Sequence, residues 1–172
     1  MKEVKVLIEK EALEKRIHEV AKQIADEYRG RRLTVICVLK GAVYFMTELT
    51  KYIENDMEVE FIRISSYEDS TESSGIIKFK LDLDSDITGK DVIVVEDILD
   101  TGRTLSYLMK HLSAKKPNSL KLCVLLDKKD RRICDVQADY VLFDIPNKFV
   151  VGYGLDFDEH YRNLPYVGFI EE

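Results

Sequence analysis

Apolar residues fall along this chain in two rhythms. From Glu11 to Tyr28, Leu13, Ile17, Val20, Ala21, Ile24, Ala25 and Tyr28 recur at steps of three and four, and Gly30 follows as a stop. That spacing lays one apolar stripe along an α-helix. A second helix is predicted from about Val43 to Ile53, and a third, carrying Leu105, Leu108, Met109 and Leu112, opens after Gly102. Between them lie strand-like runs at Leu33–Leu39, Val59–Ser65, Asp91–Glu96, Leu120–Leu126, Asp139–Asp144 and Tyr166–Ile170. Leu33–Leu39 is apolar and rich in β-branched residues, as a strand covered on both faces is, and Leu120–Leu126 reads as another buried strand. Ile76–Leu83 alternates instead, as a half-exposed strand does, and the polar, acidic stretch from Ser66 to Gly75 predicts a loop.

Strands that alternate with helices imply an α/β fold, a mainly parallel twisted sheet flanked by helices on both faces, with ligands gathered at the carboxyl ends of the strands. With 172 residues, 45% of them hydrophobic, the chain can bury one sizeable core, so residues 1–172 are expected to form a single domain. There is no internal repeat, low-complexity tract or linker.

Charge narrows the partners. A net charge of −6 disfavours a nucleic-acid reader with a broad basic face, but leaves room for a small anion held by local cations, a divalent metal or helix N-termini. The cluster Lys128-Lys129-Asp130-Arg131-Arg132 reads as a solvated loop. No run reaches the roughly 18 apolar residues of a membrane span, and the opening Met1-Lys2-Glu3-Val4-Lys5 does not lead into the apolar core of a signal peptide. The expected location is the cytoplasm, without membrane association. Cys37, Cys123 and Cys134 have no CxxC spacing, and two lie in strand-like runs, where buried reduced thiols are expected.

The densest chemistry lies in Val94-Val95-Glu96-Asp97-Ile98-Leu99-Asp100-Thr101-Gly102-Arg103-Thr104. A buried strand ends in two adjacent carboxylates, a third follows, and a Thr-Gly turn opens a helix. Uncompensated buried carboxylates cost several kcal/mol, so each needs a metal, a ligand hydroxyl or a cation. Backbone N–H groups, a glycine, two hydroxyls and the positive end of a helix suit a phosphate monoester from Asp100 to Thr104. The turn alone also reads as an Asp/Thr-capped helix start. Neither GxxxxGK[ST] nor GxGxxG occurs.

This string resembles the phosphoribosyl-pyrophosphate motif of the type I phosphoribosyltransferases, and an Asp at position 100 resembles their hypoxanthine-guanine branch. The likeness extends in order and spacing to Leu39-Lys40-Gly41, Ser66-Tyr67, Lys128, Lys148–Tyr153, Leu155-Asp156 and Arg162. It implies the family's fold with a small hood formed by the chain ends. The implied reaction is transfer of the phosphoribosyl group to hypoxanthine and/or guanine with Mg2+, in a homodimer or homotetramer.

Carried over by match, Glu96 and Asp97 serve the ribose hydroxyls and Mg2+, and Asp156 a second Mg2+ and the base edge. Asp100 is the acid–base group at purine N7. Asp100, Thr101, Gly102, Arg103 and Thr104 hold the 5′-phosphate, and Lys40, Gly41 and Arg162 the pyrophosphate. Lys128 donates to the 6-oxo group, with Lys129 a competing register. Phe149 stacks on the purine, Val150 offers its carbonyl, and Ser66 and Tyr67 form a lid. Read without the resemblance, Lys40-Gly41 is a strand-ending turn, Asp156 to Glu159 a solvated acidic turn and Phe149 a core aromatic. A xanthine-preferring transferase and an RNA-binding pyrimidine-operon regulator on the same fold stand as alternatives.

Overall fold

The computed structural model describes residues 2–66 and 77–171. In chain order the elements are β1 (Val4–Ile8), α1 (Lys10–Glu27), β2 (Leu33–Val38), α2 (Val43–Thr50), β3 (Met57–Ser66), β4 (Ile77–Leu81), β5 (Asp91–Leu99), α3 (Arg103–Ala114), β6 (Ser119–Asp127), β7 (Tyr140–Asp144), β8 (Val150–Val151) and β9 (Val167–Ile170). A 3-10 turn spans Lys129–Arg131.

Six strands form one sheet in the order β4-β3-β2-β5-β6-β7, parallel throughout except for β4 against β3. Alternation along the central strands separates two cores. Val35, Cys37, Ile93, Val95, Cys123 and Leu125 face α1 and α2, whereas Ile36, Val38, Val92, Val94, Leu122 and Val124 face α3. Burial pushes the Cys37 thiol up to about 12 and raises that of Cys123, so both stay protonated and unreactive.

The chain ends meet in a second, antiparallel sheet of order β1-β9-β8, the expected hood. It is anchored to the α1/α2 side, since Leu7, Ile8, Val150, Leu155 and Val167 join that core.

Three departures from the expected elements bear on the site. β5 runs on through the acidic residues to Leu99, because its ladder with β6 continues to the pair Leu99↔Asp127. β1 and β8 were not expected at all. One starts in charged sequence and the other has two residues, so neither shows a period, and both exist through pairing with β9. Ser66 belongs to β3, paired with Ile77, rather than to a loop, and Tyr67 of the expected lid lies outside the described residues.

The two-core arrangement predicts a sharp contrast on α3. Leu108 is fully buried, so Leu108→Ala should cost about 2–5 kcal/mol in urea unfolding. Lys110→Ala, on the exposed face, should stay within about 0.5 kcal/mol.

Candidate active site

β2, β5 and β6 are parallel neighbours, so their carboxyl ends open at one edge of the sheet and deliver Lys40, Glu96-Asp97 and Lys128 there. Glu96 curls back so that its Oε1 accepts the Asp97 amide at 2.9 Å. Burial raises the Glu96 carboxyl well above its usual range, and the charge of Asp97 and a hydrogen bond between the two carboxyls raise it further. Burial also raises Asp97, opposed by the bond to Glu96, the Ile98 amide and the charge of Arg162.

Among the described residues, no group of three or more His, Cys, Asp or Glu gathers to hold a metal. Glu96, Asp97 and Asp156 are therefore not one cluster, because the Asp156 carboxylate is taken by Arg162 Nη2 at 2.8 Å and by the Glu159 amide at 2.8 Å. Glu96 and Asp97 still fit Mg2+, which binds through one or two carboxylates and completes its shell with water and substrate oxygens.

Beyond β5 the chain turns into α3 at Gly102, which has φ +85°. A Cβ there would lie 2.6 Å from Val136 Cγ1 and 2.9 Å from Arg132 Cδ, so glycine is required for conformation and space alike. The helix start has no side-chain cap, contrary to the capped-helix reading, and the Thr101 and Thr104 hydroxyls have no partner among the described residues. Uncapped N–H groups at the positive end of a helix form an anion site. Arg103 is solvent-exposed.

On the β2 side, the Leu39-Lys40 peptide is cis. A Cβ on Gly41 would lie 1.6 Å from Asp97 Oδ2, and one on Gly154 2.0 Å from the Gly41 carbonyl oxygen. The Lys40-Gly41 turn is thus clasped between the acidic pair and the loop after β8. Arg162 donates to the Gly154 carbonyl at 2.8 Å, and Glu159 links the two cations, accepting from Lys40 Nζ at 2.9 Å and Arg162 Nη2 at 3.2 Å. Those two cations hold the Glu159 carboxyl below its usual range, the hydrogen bond from Lys40 contributing most.

On the β6 side the two adjacent lysines separate. Lys128 is buried, whereas Lys129 is exposed and pairs with Asp144 at 2.9 Å. Burial lowers the pKa of Lys128, partly offset by the charge of Asp100. Asp100 Oδ1 lies 2.8 Å from Arg131 Nε, an ion pair without hydrogen-bond alignment. Phe149 is half exposed and meets Phe157 edge-on at 5.4 Å, so it is not a core aromatic. β8 is an edge strand, and Ile170 N donates to Phe149 O at 3.1 Å, which leaves the Val150 peptide facing away from β9.

The sequence reading missed Asp127, Arg131, Arg132, Gly154 and Glu159. The basic cluster was expected to be solvated, but the turn at Lys129–Arg131 directs Arg132 inward to Asp127 and Arg131 onto Asp100. A buried Asp127 at the end of β6, five residues before Arg132, was the available signal.

Acidic pair, uncapped helix start and flanking cations at the carboxyl edge of a parallel sheet define a binder of a phosphorylated, polyhydroxylated ligand. Residues 4–158 match the family model described as a phosphoribosyl transferase domain. The chain is 48% identical over 168 residues to a hypoxanthine-guanine phosphoribosyltransferase of Streptococcus thermophilus, covering 98% of this chain and 93% of the relative. It is 49% identical over 172 residues to the Mycobacterium avium protein of that description, covering 96% and 85%. A crystal structure of a hypoxanthine-guanine phosphoribosyltransferase from Bacillus anthracis superposes with a TM-score of 0.93 at 47% identity, covering 98% of this chain and all (100%) of that one. The chain belongs to the phosphoribosyltransferase family.

Burial of the Glu96 carboxyl beside Asp97 bears on stability. A carboxyl whose folded pKa is raised binds its proton more tightly when folded, so it costs stability as pH rises towards that pKa and costs nothing below the unfolded value. Glu96→Gln should therefore raise Tm at neutral pH, by roughly 2–4 °C for each kcal/mol of this penalty relieved. The gain should shrink as pH falls through the carboxylate range, and thermal melts across pH check both.

Proposed function

We propose that this chain transfers the phosphoribosyl group of phosphoribosyl pyrophosphate to hypoxanthine and/or guanine, releasing pyrophosphate and forming IMP or GMP. The observation that carries this reading is the position of the buried Lys128 beside Asp100, at a loop that also opens an uncapped helix. A buried ammonium can donate to a 6-oxo group, whereas the amino group of adenine offers it no acceptor.

The 5′-phosphate lies on the turn from Asp100 to Thr104, with the ribose hydroxyls towards Glu96 and Asp97. The pyrophosphate lies towards Lys40, Gly41 and Arg162, displacing the carboxylate of Glu159. Phe149 stacks on the purine, Val150 offers its carbonyl to the ring edge, and Asp156 lies on the same side. Glu96 and Asp97 would hold Mg2+, which when bound neutralises charge on the pyrophosphate. As purine N9 bonds to C1′, the bond from C1′ to the pyrophosphate oxygen breaks, and Asp100 takes or shares the proton at N7. Closure by Ser66 and Tyr67 would keep water from capturing the cationic sugar. The working form is a cytosolic homodimer or homotetramer, a reading supported by the apolar Val59 and Phe61 left exposed on β3.

A magnesium-dependent assay with phosphoribosyl pyrophosphate and each of hypoxanthine, guanine, xanthine, adenine and uracil should give turnover with 6-oxopurines and none with adenine or uracil. Turnover of uracil alone, or none with any base, would refute the assignment. Asp100→Asn should lower kcat by about 10²–10⁴ with far smaller changes in substrate affinity, and an unchanged kcat would remove its acid–base role.

A further inference from the structure

Arg132 makes more directed contacts than any surface arginine needs. Its side chain is 17% exposed, and each guanidinium nitrogen has its own acceptor. Nε donates to the Asp100 carbonyl at 3.1 Å, Nη1 to the Val136 carbonyl at 2.9 Å, and Nη2 to the Leu99 carbonyl at 3.4 Å and to the buried Asp127 carboxylate. The backbone adds two parallel ties, Lys128 N to Leu99 O and Ile133 N to Thr101 O, both 3.0 Å.

Three consecutive carbonyls, of Leu99, Asp100 and Thr101, are thereby drawn to the side of the strap formed by residues 128–136. In a planar trans peptide the C=O of one residue and the N–H of the next point in opposite directions. Holding those carbonyls turns the N–H groups of Asp100, Thr101 and Gly102 the other way, together. Successive N–H groups converging in this way form an anion-binding nest. The contact also removes the partial negative charge of the carbonyls from the anion's side.

We propose that Arg132 is the positioning residue for phosphate binding, touching no substrate itself but fixing the peptide orientations that make the turn after β5 an anion cradle. A planar fork is needed, because one lysine ammonium cannot reach carbonyls in several directions from one position. Asp127 fixes the fork. The inference rests on the reading of Asp100–Thr104 as the phosphate site.

The test compares calorimetric affinities for GMP and guanosine, which differ only in the 5′-phosphate, in wild type, Arg132→Lys and Asp127→Asn. In wild type GMP should bind more tightly. In Arg132→Lys the affinity for GMP should fall about tenfold or more, while that for guanosine changes less than about twofold. Asp127→Asn should shift the ratio in the same direction, and it supplies the reading if Arg132→Lys does not fold. A merely structural arginine would weaken both ligands alike, and that result, or an unchanged ratio in the variants, overturns the inference alone. A wild type that binds the two ligands equally overturns the phosphate site and the inference with it.

Discussion

Parallel pairing of β5 between β2 and β6 is the constraint on which the rest depends. The pairs Cys37↔Val95 and Leu99↔Asp127 set how far each strand reaches, and so which side chains emerge together at the carboxyl edge. Parallel strands must be joined by crossovers, so each strand returns its chain to the same edge with a new loop. One loop brings Lys40-Gly41, one the phosphate turn, and one Lys128 with the strap behind it. A slip of one residue in β5 would exchange its two faces, sending Val95 towards α3 and Val94 towards α1 and α2. The site is therefore as well determined as the two cores.

Electrostatics at that edge is unfavourable until something binds. Burial and the neighbouring charge of Asp97 disfavour an ionised Glu96, while Lys40 and Arg162 are drawn together by Glu159. A ligand carrying hydroxyls, phosphates and an associated cation relieves both conditions. Net negative charge on the chain does not oppose this, because the anion sites are made from backbone N–H groups and a few nearby cations, whose influence is local.

Much of this was legible in the sequence. The apolar runs gave β2, β5, β6 and β7, and the three- and four-residue steps gave α1 and α3, because those elements bury whole faces. The acidic pair and the Thr-Gly turn were visible for the same reason, being polar where burial demands apolar residues. What stayed hidden depends on partners distant in sequence. β1 and β8 exist only through β9, the requirement for Gly41 arises from Asp97 on β5, and that for Gly154 from contact with the Gly41 loop more than a hundred residues away. Arg132 and Lys129 are indistinguishable as members of one basic cluster, although the fold turns one inward and leaves the other in solvent.

Adjacent arginines divide the two polar ends of one residue. Arg131 meets the side chain of Asp100, and Arg132 holds its carbonyl. The first contact is the weaker, lying on an arginine that is nearly half exposed and lacking hydrogen-bond alignment. The second is enclosed and shared among several acceptors. On the proposed reading an acid–base group has to turn towards an arriving purine while the phosphate cradle beneath it stays still. Anchoring the backbone of Asp100 through one arginine and its carboxylate through the other permits that separation, since the side chain can leave Arg131 without loosening any bond that orients the nest.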